Sequence, residues 1–189
     1  MKNVKIRMEG GYHTYSYNIS DGKCVFKDSK GNKYQVNLNT YKNDLREVMI
    51  DSKVTVKALI SKYKMSRALL YSNAKNTVVS IIKLHLLYLD IIRYNKVKVA
   101  EIEALNYLLK KEVISMSDYA KNANISREFI YQILNNADKR VTSENVDKLK
   151  KTNDLIKNNI IKQLNKEDEK DLMQIDNLEF FKLIFITKK

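Results

Sequence analysis

Side chains that could act as nucleophiles, general bases or soft metal ligands are few in this chain of 189 residues. Cys24 is the single cysteine, and the two histidines, His13 and His85, have no cysteine near them in the sequence. We find no Ser-His-Asp set, no paired carboxylates on a cleft-like scaffold and no glycine-rich phosphate loop. The sequence therefore predicts a protein that is not an enzyme and that uses no metal or other cofactor. A lone cysteine also excludes an intrachain disulfide.

Basic side chains are the most abundant functional groups of this sequence that could bind a ligand. Lysine and arginine number 35 against 22 acidic residues, which gives a formal net charge of +13. A folded domain this basic is expected to bind polyanions, either nucleic acid or an anionic membrane surface. The alternative is a solvated, lysine-rich surface that has no such partner.

The apolar residues favour a folded protein that does not span a membrane. They make up 44% of the chain, and the longest apolar-rich stretch, residues 78–92, is interrupted by Ser80, Lys83, His85 and Asp90. A membrane-spanning helix needs roughly 20 apolar residues in succession. The first residues, MKNVKIRMEG, lack the apolar segment of a secretory signal. We therefore expect a soluble, cytoplasmic protein with no membrane partner.

One hexapeptide occurs twice with small changes. SRALLY occupies residues 66–71, and SREFIY occupies residues 126–131, sixty residues later. The similarity extends into the flanking sequence, where small or apolar residues recur at matching positions. The matched pairs are Val56 with Met116, Ile60 with Ala120, Met65 with Ile125, and Leu70 with Ile130. Such a repeat predicts two copies of one supersecondary unit.

The elements that position these residues follow from the periodicity of the chain. Residues 1–40 contain alternating, β-prone segments separated by Gly10-Gly11, Asp21-Gly22 and Gly31-Asn32, which predicts an antiparallel meander of three or four strands. From Tyr41 the apolar spacing becomes helical. The expected helices begin near Thr40 or Asn43 and continue at 55–64, 66–76, 77–94, 100–111, 117–123, 126–135 and 143–159, with a serine N-cap opening each of the last three.

The predicted fold class is therefore α+β, mainly α: an N-terminal antiparallel β-meander followed by two helix-turn-helix units. We expect a β-meander subdomain at 1–40, helical units at 41–98 and 99–160, and a tail at 161–189. The tail contains LEFFKLIFITKK, which fits a returning strand, an apolar helix or a dimer contact. The basic and tyrosine-rich β segment fits an ordinary half-buried sheet, a surface that stacks single-stranded bases, or a docking site for a protein target.

The second copy resembles a known family of DNA-binding domains. SMSDYAKNANISREFIYQILNN, with DKRVTSENVDKLKKTNDLI after it, is similar to the Cro/lambda-repressor (XRE-like) helix-turn-helix domain over residues 100–159. The family pattern of a small residue, a turn ending apolar-Ser, and an apolar-x-x-apolar recognition helix falls on Ala120, Ile125-Ser126, Ile130 and Ile133. Asn124 stands where glycine is usual, and Asn135-Asn136 replaces the usual Asn-Gly. Residues 41–94 form a more degenerate copy.

The resemblance implies specific roles, because the second helix of such a unit places its N-terminal side chains in the major groove. The implied base contacts are Arg127, Glu128 and Gln132, with Arg67 at the matching position of the first copy. The implied phosphate contacts are Ser117, Lys121, Ser126, Asn135, Lys139 and Arg140, with Ser66 and Lys75 in the first copy.

These expectations predict a protein that binds double-stranded DNA in a sequence-specific manner, most simply a transcriptional regulator or repressor of phage or plasmid type. A homodimer is one arrangement in which such a regulator could bind. An alternative is a phage-encoded inhibitor of a nucleic-acid enzyme, of the anti-CRISPR type, that carries an autoregulatory helix-turn-helix. A further alternative is a plasmid partition or replication protein. The sequence leaves these three open.

Overall fold

Four strands open the chain in the computed structural model, which describes residues 1–71, 77–136, 139–164 and 169–185. They are β1 (Lys2–Met8), β2 (Gly11–Ser20), β3 (Lys23–Lys27) and β4 (Lys33–Asn37). All neighbouring strands are antiparallel, and their order in the sheet is β1-β2-β3-β4. The predicted meander is thus confirmed, with four strands.

The turns of the meander lie where the glycines predicted them. Gly10 and Gly22 have φ values of 85° and 70°, a left-handed conformation that side chains with a Cβ rarely adopt. In the third turn the carboxylate of Asp28 accepts hydrogen bonds from the backbone nitrogens of Lys30 and Asn32, each at 2.9 Å. Residues within each turn therefore favour the backbone conformation that the hairpin needs.

One face of the sheet is buried against helix. Ile6, Met8, Tyr15, Phe26 and Val36 point to this face and are buried. Because side chains alternate along a strand, the residues between them point to the opposite, exposed face.

Helices follow the sheet. The first unit of the chain, Met1–Arg93, continues with α1 (Tyr41–Asp51), the short strand β5 (Val54–Thr55), α2 (Lys57–Lys62), α3 (Arg67–Tyr71) and the start of α4 (Val78–Lys110). His85 on α4 packs its ring 5.8 Å from Phe26 and 6.0 Å from Tyr88, measured between centroids. The first part of α4 thus covers the buried face of the sheet.

The expectation of two helices at 77–94 and 100–111 is wrong, because α4 runs without a break from Val78 to Lys110. The junction of the two expected helices, YNKVKVA at 94–100, contains neither glycine nor proline, so nothing in it interrupts the backbone hydrogen bonds. α4 ends at Lys110, and Glu112, two residues later, has a left-handed φ of 55°.

The second unit, Tyr94–Lys189, starts within α4. It continues with α5 (Met116–Ala123), α6 (Arg127–Asn135), the short strand β6 (Val141–Thr142), α7 (Ser143–Ile161), α8 (Glu169–Gln174) and α9 (Asn177–Phe185). Two of the three expected serine caps are wrong by one or two residues: the N-caps of α5 and α7 are Ser115 and Thr142.

In the C-terminal tail, residues 177–185 form the helix α9 and not a strand. Phe180 and Phe181 of α9 are fully buried in the core of the second unit, together with Leu105 and Leu149. Lys157 of α7 donates hydrogen bonds to the backbone carbonyls of Met173, near the end of α8, and of Ile175, which follows α8. Packing of the two aromatic rings therefore outweighs the β propensity of this segment.

Among the helices in the described ranges, none combines the length and apolar character needed to cross a bilayer.

Candidate nucleic-acid interface

The first helix of the second helix-turn-helix is α5, and Ser115 caps it. The Ser115 hydroxyl accepts from the backbone nitrogen of Asp118 at 3.1 Å and donates to the Asp118 carboxylate at 2.6 Å. This reciprocal arrangement satisfies one of the free N–H groups at the helix start. Ser117 is therefore not the cap but an exposed residue of the first turn, from which its hydroxyl can still reach a ligand.

The turn between α5 and α6 has left-handed geometry at Asn124, where φ is 50°. The Asn124 nitrogen donates to the Lys121 carbonyl at 3.2 Å, and the Ile125 nitrogen donates to the Ala120 carbonyl at 3.1 Å. These two bonds form a Schellman motif that ends α5. Asparagine tolerates this conformation better than other side chains, which explains how it replaces the usual glycine.

Helix α6 begins at Ser126, whose hydroxyl accepts from the backbone nitrogen of Phe129 at 3.1 Å. Ile130 and Ile133 are 0% and 5% exposed, so they hold the helix on the core of the unit. Arg127 and Tyr131 are exposed. The helix therefore has one buried apolar face and one exposed polar face.

The three predicted base-contacting residues of α6 lie together on its exposed side. Arg127 is exposed and makes no ion pair or hydrogen bond with its side chain among the described residues. Glu128 accepts from the Gln132 side-chain nitrogen at 3.2 Å, one helical turn along. This bond orients the Gln132 amide and leaves its oxygen and one N–H available.

Two predicted phosphate-contacting residues are already engaged within the unit. The Asn135 side chain donates to the Tyr131 carbonyl at 2.8 Å, and an amide nitrogen has a second N–H to offer. Lys139 is half-buried, with its ammonium 5.9 Å from the centroid of the Phe129 ring. Lys121 and Arg140 are exposed cations.

The first copy repeats the turn geometry. Lys64 has a φ of 47°, its nitrogen donates to the Ser61 carbonyl at 2.9 Å, and the Met65 nitrogen donates to the Ile60 carbonyl at 3.2 Å. Leu70 is buried, as Ile130 is in the second copy. The sequence repeat at sixty residues thus corresponds to a structural repeat of the same Schellman turn.

Two of the contact residues implied for the first copy lie in its described part. Ser66 and Arg67 are exposed at the start of α3, which the structure describes over Arg67–Tyr71. The Leu69 nitrogen donates to the backbone carbonyl of Ser66 at 3.1 Å. Lys75, the other residue implied for this copy, lies outside the described residues.

Each copy has an exposed tyrosine at the same place. Tyr71 is 59% exposed and Tyr131 is 61% exposed, so neither ring is a core residue. Exposed rings at matching positions of two copies are available to contact a ligand.

A buried polar network behind α5 escaped the sequence analysis. The Tyr119 hydroxyl donates to Asn153 at 2.8 Å, and the Asn153 amide donates to Glu101 at 2.8 Å. Asn177 of α9 donates to the same Glu101 carboxylate at 3.0 Å. Burial, and next the nearby Glu101 charge, raise the pKa of Tyr119 well above its usual value. The hydroxyl therefore stays a donor and ties α5 to α4, α7 and α9.

One signal for this network is present in the sequence. Leu149, Asn153 and Lys157 follow each other at four-residue spacing on α7 and are all buried, so a polar residue interrupts an apolar helix face. Buried polar groups need partners, but the spacing alone does not say which ones.

Among the described residues, no three His, Cys, Asp or Glu side chains come together in a way that could hold a metal ion. Cys24 is buried, and burial raises the pKa of its thiol. His85 lies among aromatic rings, and burial lowers its pKa.

Comparison of the chain with protein-family models, with curated proteins and with solved structures gave no match. The resemblance to the Cro/lambda-repressor type therefore stays a prediction that rests on the residues and on the turn geometry.

Proposed function

We propose that the second unit binds duplex DNA in a sequence-specific manner through helix α6 and acts as a transcriptional regulator. The observation that carries this proposal is the division of α6 into two faces. Ile130 and Ile133 are buried, whereas Arg127 is exposed with an unpaired guanidinium among the described residues. A helix held in this way after a tight turn has the form that enters a major groove.

The side chains on the exposed face are of the types that distinguish base pairs. Arginine can donate two hydrogen bonds to guanine, glutamine can pair with adenine, and glutamate can accept from cytosine. The hydrogen bond from Gln132 to Glu128 supports a coupled role, since releasing one side chain would change the orientation of the other. We assign the primary base contact to Arg127.

Contacts to phosphates would position the helix without reading sequence. Lys121, in the last turn of α5, and Arg140, beyond the end of α6, are exposed cations, and Ser117 adds a hydroxyl on the first turn of α5. Lys139 packs against Phe129, so its role combines a charge with local packing.

In a cell, a regulator of this kind would act in the cytoplasm on a phage or plasmid promoter. If only the second copy reads DNA, a homodimer would bind two half-sites about 34–36 Å apart or a multiple of this distance. If both copies read DNA, a monomer would bind two unlike half-sites.

The test is selection of bound sequences from a random duplex library at about 150 mM salt, where non-specific phosphate binding is weak. We expect one enriched motif, and its loss with the Arg127→Ala variant. Iterated sites would favour a partition protein instead. No enrichment, together with a salt-resistant protein complex from a host lysate, would contradict the proposal and favour an inhibitor of a nucleic-acid enzyme.

A further inference from the structure

The charged side chains on the exposed face of the N-terminal sheet are all positive, and the proposed DNA contact of the helix-turn-helix does not account for them. We call the outward-pointing strand residues the outer face. The strand register places these residues on it: Asn3, Lys5, Arg7, Tyr12, Thr14, Ser16, Asn18, Ser20, Lys23, Val25, Lys27, Lys33, Gln35 and Asn37. Five of them are basic and none is acidic.

The five cations of the outer face are not neutralised within the protein. Lys5, Arg7, Lys23, Lys27 and Lys33 are all exposed. None of them makes an ion pair or a side-chain hydrogen bond among the described residues. Their charge is therefore available to a ligand.

Two of these cations lie directly opposite each other. Lys27 and Lys33 are register partners on β3 and β4, an arrangement in which like charges destabilise a sheet. The nearest acid in sequence, Asp28, does not relieve this repulsion. Its carboxylate instead accepts hydrogen bonds from Asn32 in the turn and from Tyr34 on β4. An anion placed between the two ammonium groups would remove the repulsion.

The neutral residues of the outer face favour a nucleic-acid backbone over a membrane. Serine, threonine, asparagine and glutamine supply hydrogen bonds for phosphate and sugar oxygens. Proteins that lie on a membrane surface bury apolar side chains in the interface, and the outer face offers only the half-buried Val25 and the ring of Tyr12. A surface that carries positive charge but few apolar side chains is suited to bind a dissolved polyanion and not a membrane.

The same composition favours a duplex over a single strand. Surfaces for single strands stack successive bases on several aromatic rings, whereas the outer face carries one exposed ring, Tyr12, at 71% exposure. The other tyrosines of the strands, Tyr15, Tyr17 and Tyr34, point to the opposite face. Strands lie about 4.8 Å apart, so cations on β1 and β4 are separated by about 14 Å, which lets them contact separate phosphates.

We propose that the outer face of the N-terminal sheet is a second nucleic-acid contact that binds the phosphate backbone of duplex DNA without reading its sequence. It would hold the protein on DNA irrespective of which bases α6 contacts. The inference does not depend on α6, because it concerns binding to duplexes of random sequence.

The test compares two variants of the full chain that lose the same charge. One replaces Lys5, Arg7, Lys27 and Lys33 by threonine, which preserves β propensity. The matched control replaces by glutamine four exposed lysines of the second unit, namely Lys96, Lys110 and Lys151 on helices and Lys162 directly after α7. Binding to a random-sequence duplex is measured by fluorescence anisotropy over a series of salt concentrations.

The slope of log K against log salt is negative, and each lost phosphate contact reduces its magnitude by about 0.9. We expect this magnitude to fall by about 3 for the sheet variant and by less than about 1 for the control. Equal changes in the two variants would overturn the proposal, since they would show a diffuse effect of net charge. Loss of binding to phosphatidylserine vesicles with unchanged binding to duplex would also overturn it.

A second measurement needs no substitution. Acetylation of the wild-type protein, read by mass spectrometry with and without the random duplex, should show protection of Lys5, Lys27 and Lys33 but not of Lys96. Absence of protection at the three sheet lysines would refute the outer face as a contact, even if the threonine variant failed to fold. The Arg127→Ala variant should keep this protection, so failure of the α6 proposal would be seen separately.

Discussion

Lys64 and Asn124 lie sixty residues apart and adopt the same left-handed backbone conformation, with φ values of 47° and 50°. Each ends the first helix of a helix-turn-helix, and in each case the next residue donates to the carbonyl five positions before it. Asparagine accepts this conformation readily, whereas lysine does not. The two copies thus share a turn, but only the second has a residue suited to it.

Replacing Lys64 by glycine should stabilise the first unit. Glycine relieves the left-handed strain but increases the entropy of the unfolded chain, so we expect a net gain of about 0.5–1 kcal/mol in the free energy of unfolding. Urea denaturation followed by circular dichroism measures it. Lys64→Ala keeps the strain and should change little, and a gain as large as that of glycine would contradict this explanation. Asn124→Ala should instead destabilise the second unit.

Substitutions on α6 and at Lys139, which follows α6, should separate the proposed base contacts from the proposed phosphate contacts. Arg127→Ala and Gln132→Ala should each weaken binding to the selected operator by about 1–3 kcal/mol and relax the base preference. Lys139→Ala should weaken all sequences alike, because a phosphate contact carries no sequence information. Competition binding with operator and random duplexes distinguishes the two effects. If Arg127→Ala leaves operator affinity unchanged, α6 is not the reading helix.

Acid should destabilise the first unit through His85. Burial lowers the pKa of His85, so the folded protein resists protonation while the unfolded chain binds a proton near pH 6.5. Its contribution to stability is therefore complete above about pH 6.5 and is lost as the pH falls below this value, by at most about 1.4 kcal/mol per pH unit. Urea denaturation at pH 7.5 and pH 5.0 measures the loss.

The control for this prediction uses the other histidine. His85→Phe keeps an aromatic ring beside Phe26 and should reduce the difference in stability between the two pH values. His13 is exposed, and His13→Gln should retain the full difference. Equal pH dependence in His85→Phe and the wild type would show that other groups cause it.

Removing the Tyr119 hydroxyl should weaken the second unit. Tyr119→Phe leaves the buried Asn153 oxygen without the donor that lies 2.8 Å away, which costs about 1–3 kcal/mol. The exposed Tyr131 is the matched control, and Tyr131→Phe should change the stability by less than about 0.5 kcal/mol. Thermal unfolding of both variants gives the comparison, and similar melting temperatures would show that the network contributes little.

Local features of the fold were predictable because they depend on near neighbours in sequence. Gly10 and Gly22 indicated the hairpin turns, and Ser126 indicated the start of α6. The repeated hexapeptide indicated two like units, and the matching turns at Lys64 and Asn124 agree with it. The exact caps were less predictable, since Ser115 and Ser117 are equally good candidates in sequence.

Continuity of α4 and the form of the tail depended on more than local preference. YNKVKVA, at 94–100, gives no strong signal for or against a helix, and it continues one because α4 is helical on both sides of it. Residues 177–185 contain three phenylalanines and one isoleucine, residue types that favour a strand. They become α9 because Phe180 and Phe181 then share one buried side of a helix.

By itself, the sequence determined the turns, the two-copy organisation, the α+β class and the basic character of the chain, since these depend on residue type and spacing. Tertiary structure alone decided which polar groups meet. Glu101, Asn153 and Asn177 come from three distant helices and bond because burial leaves them no water. It also placed five cations on one face of the sheet, because side-chain alternation acts on all four strands in a common register.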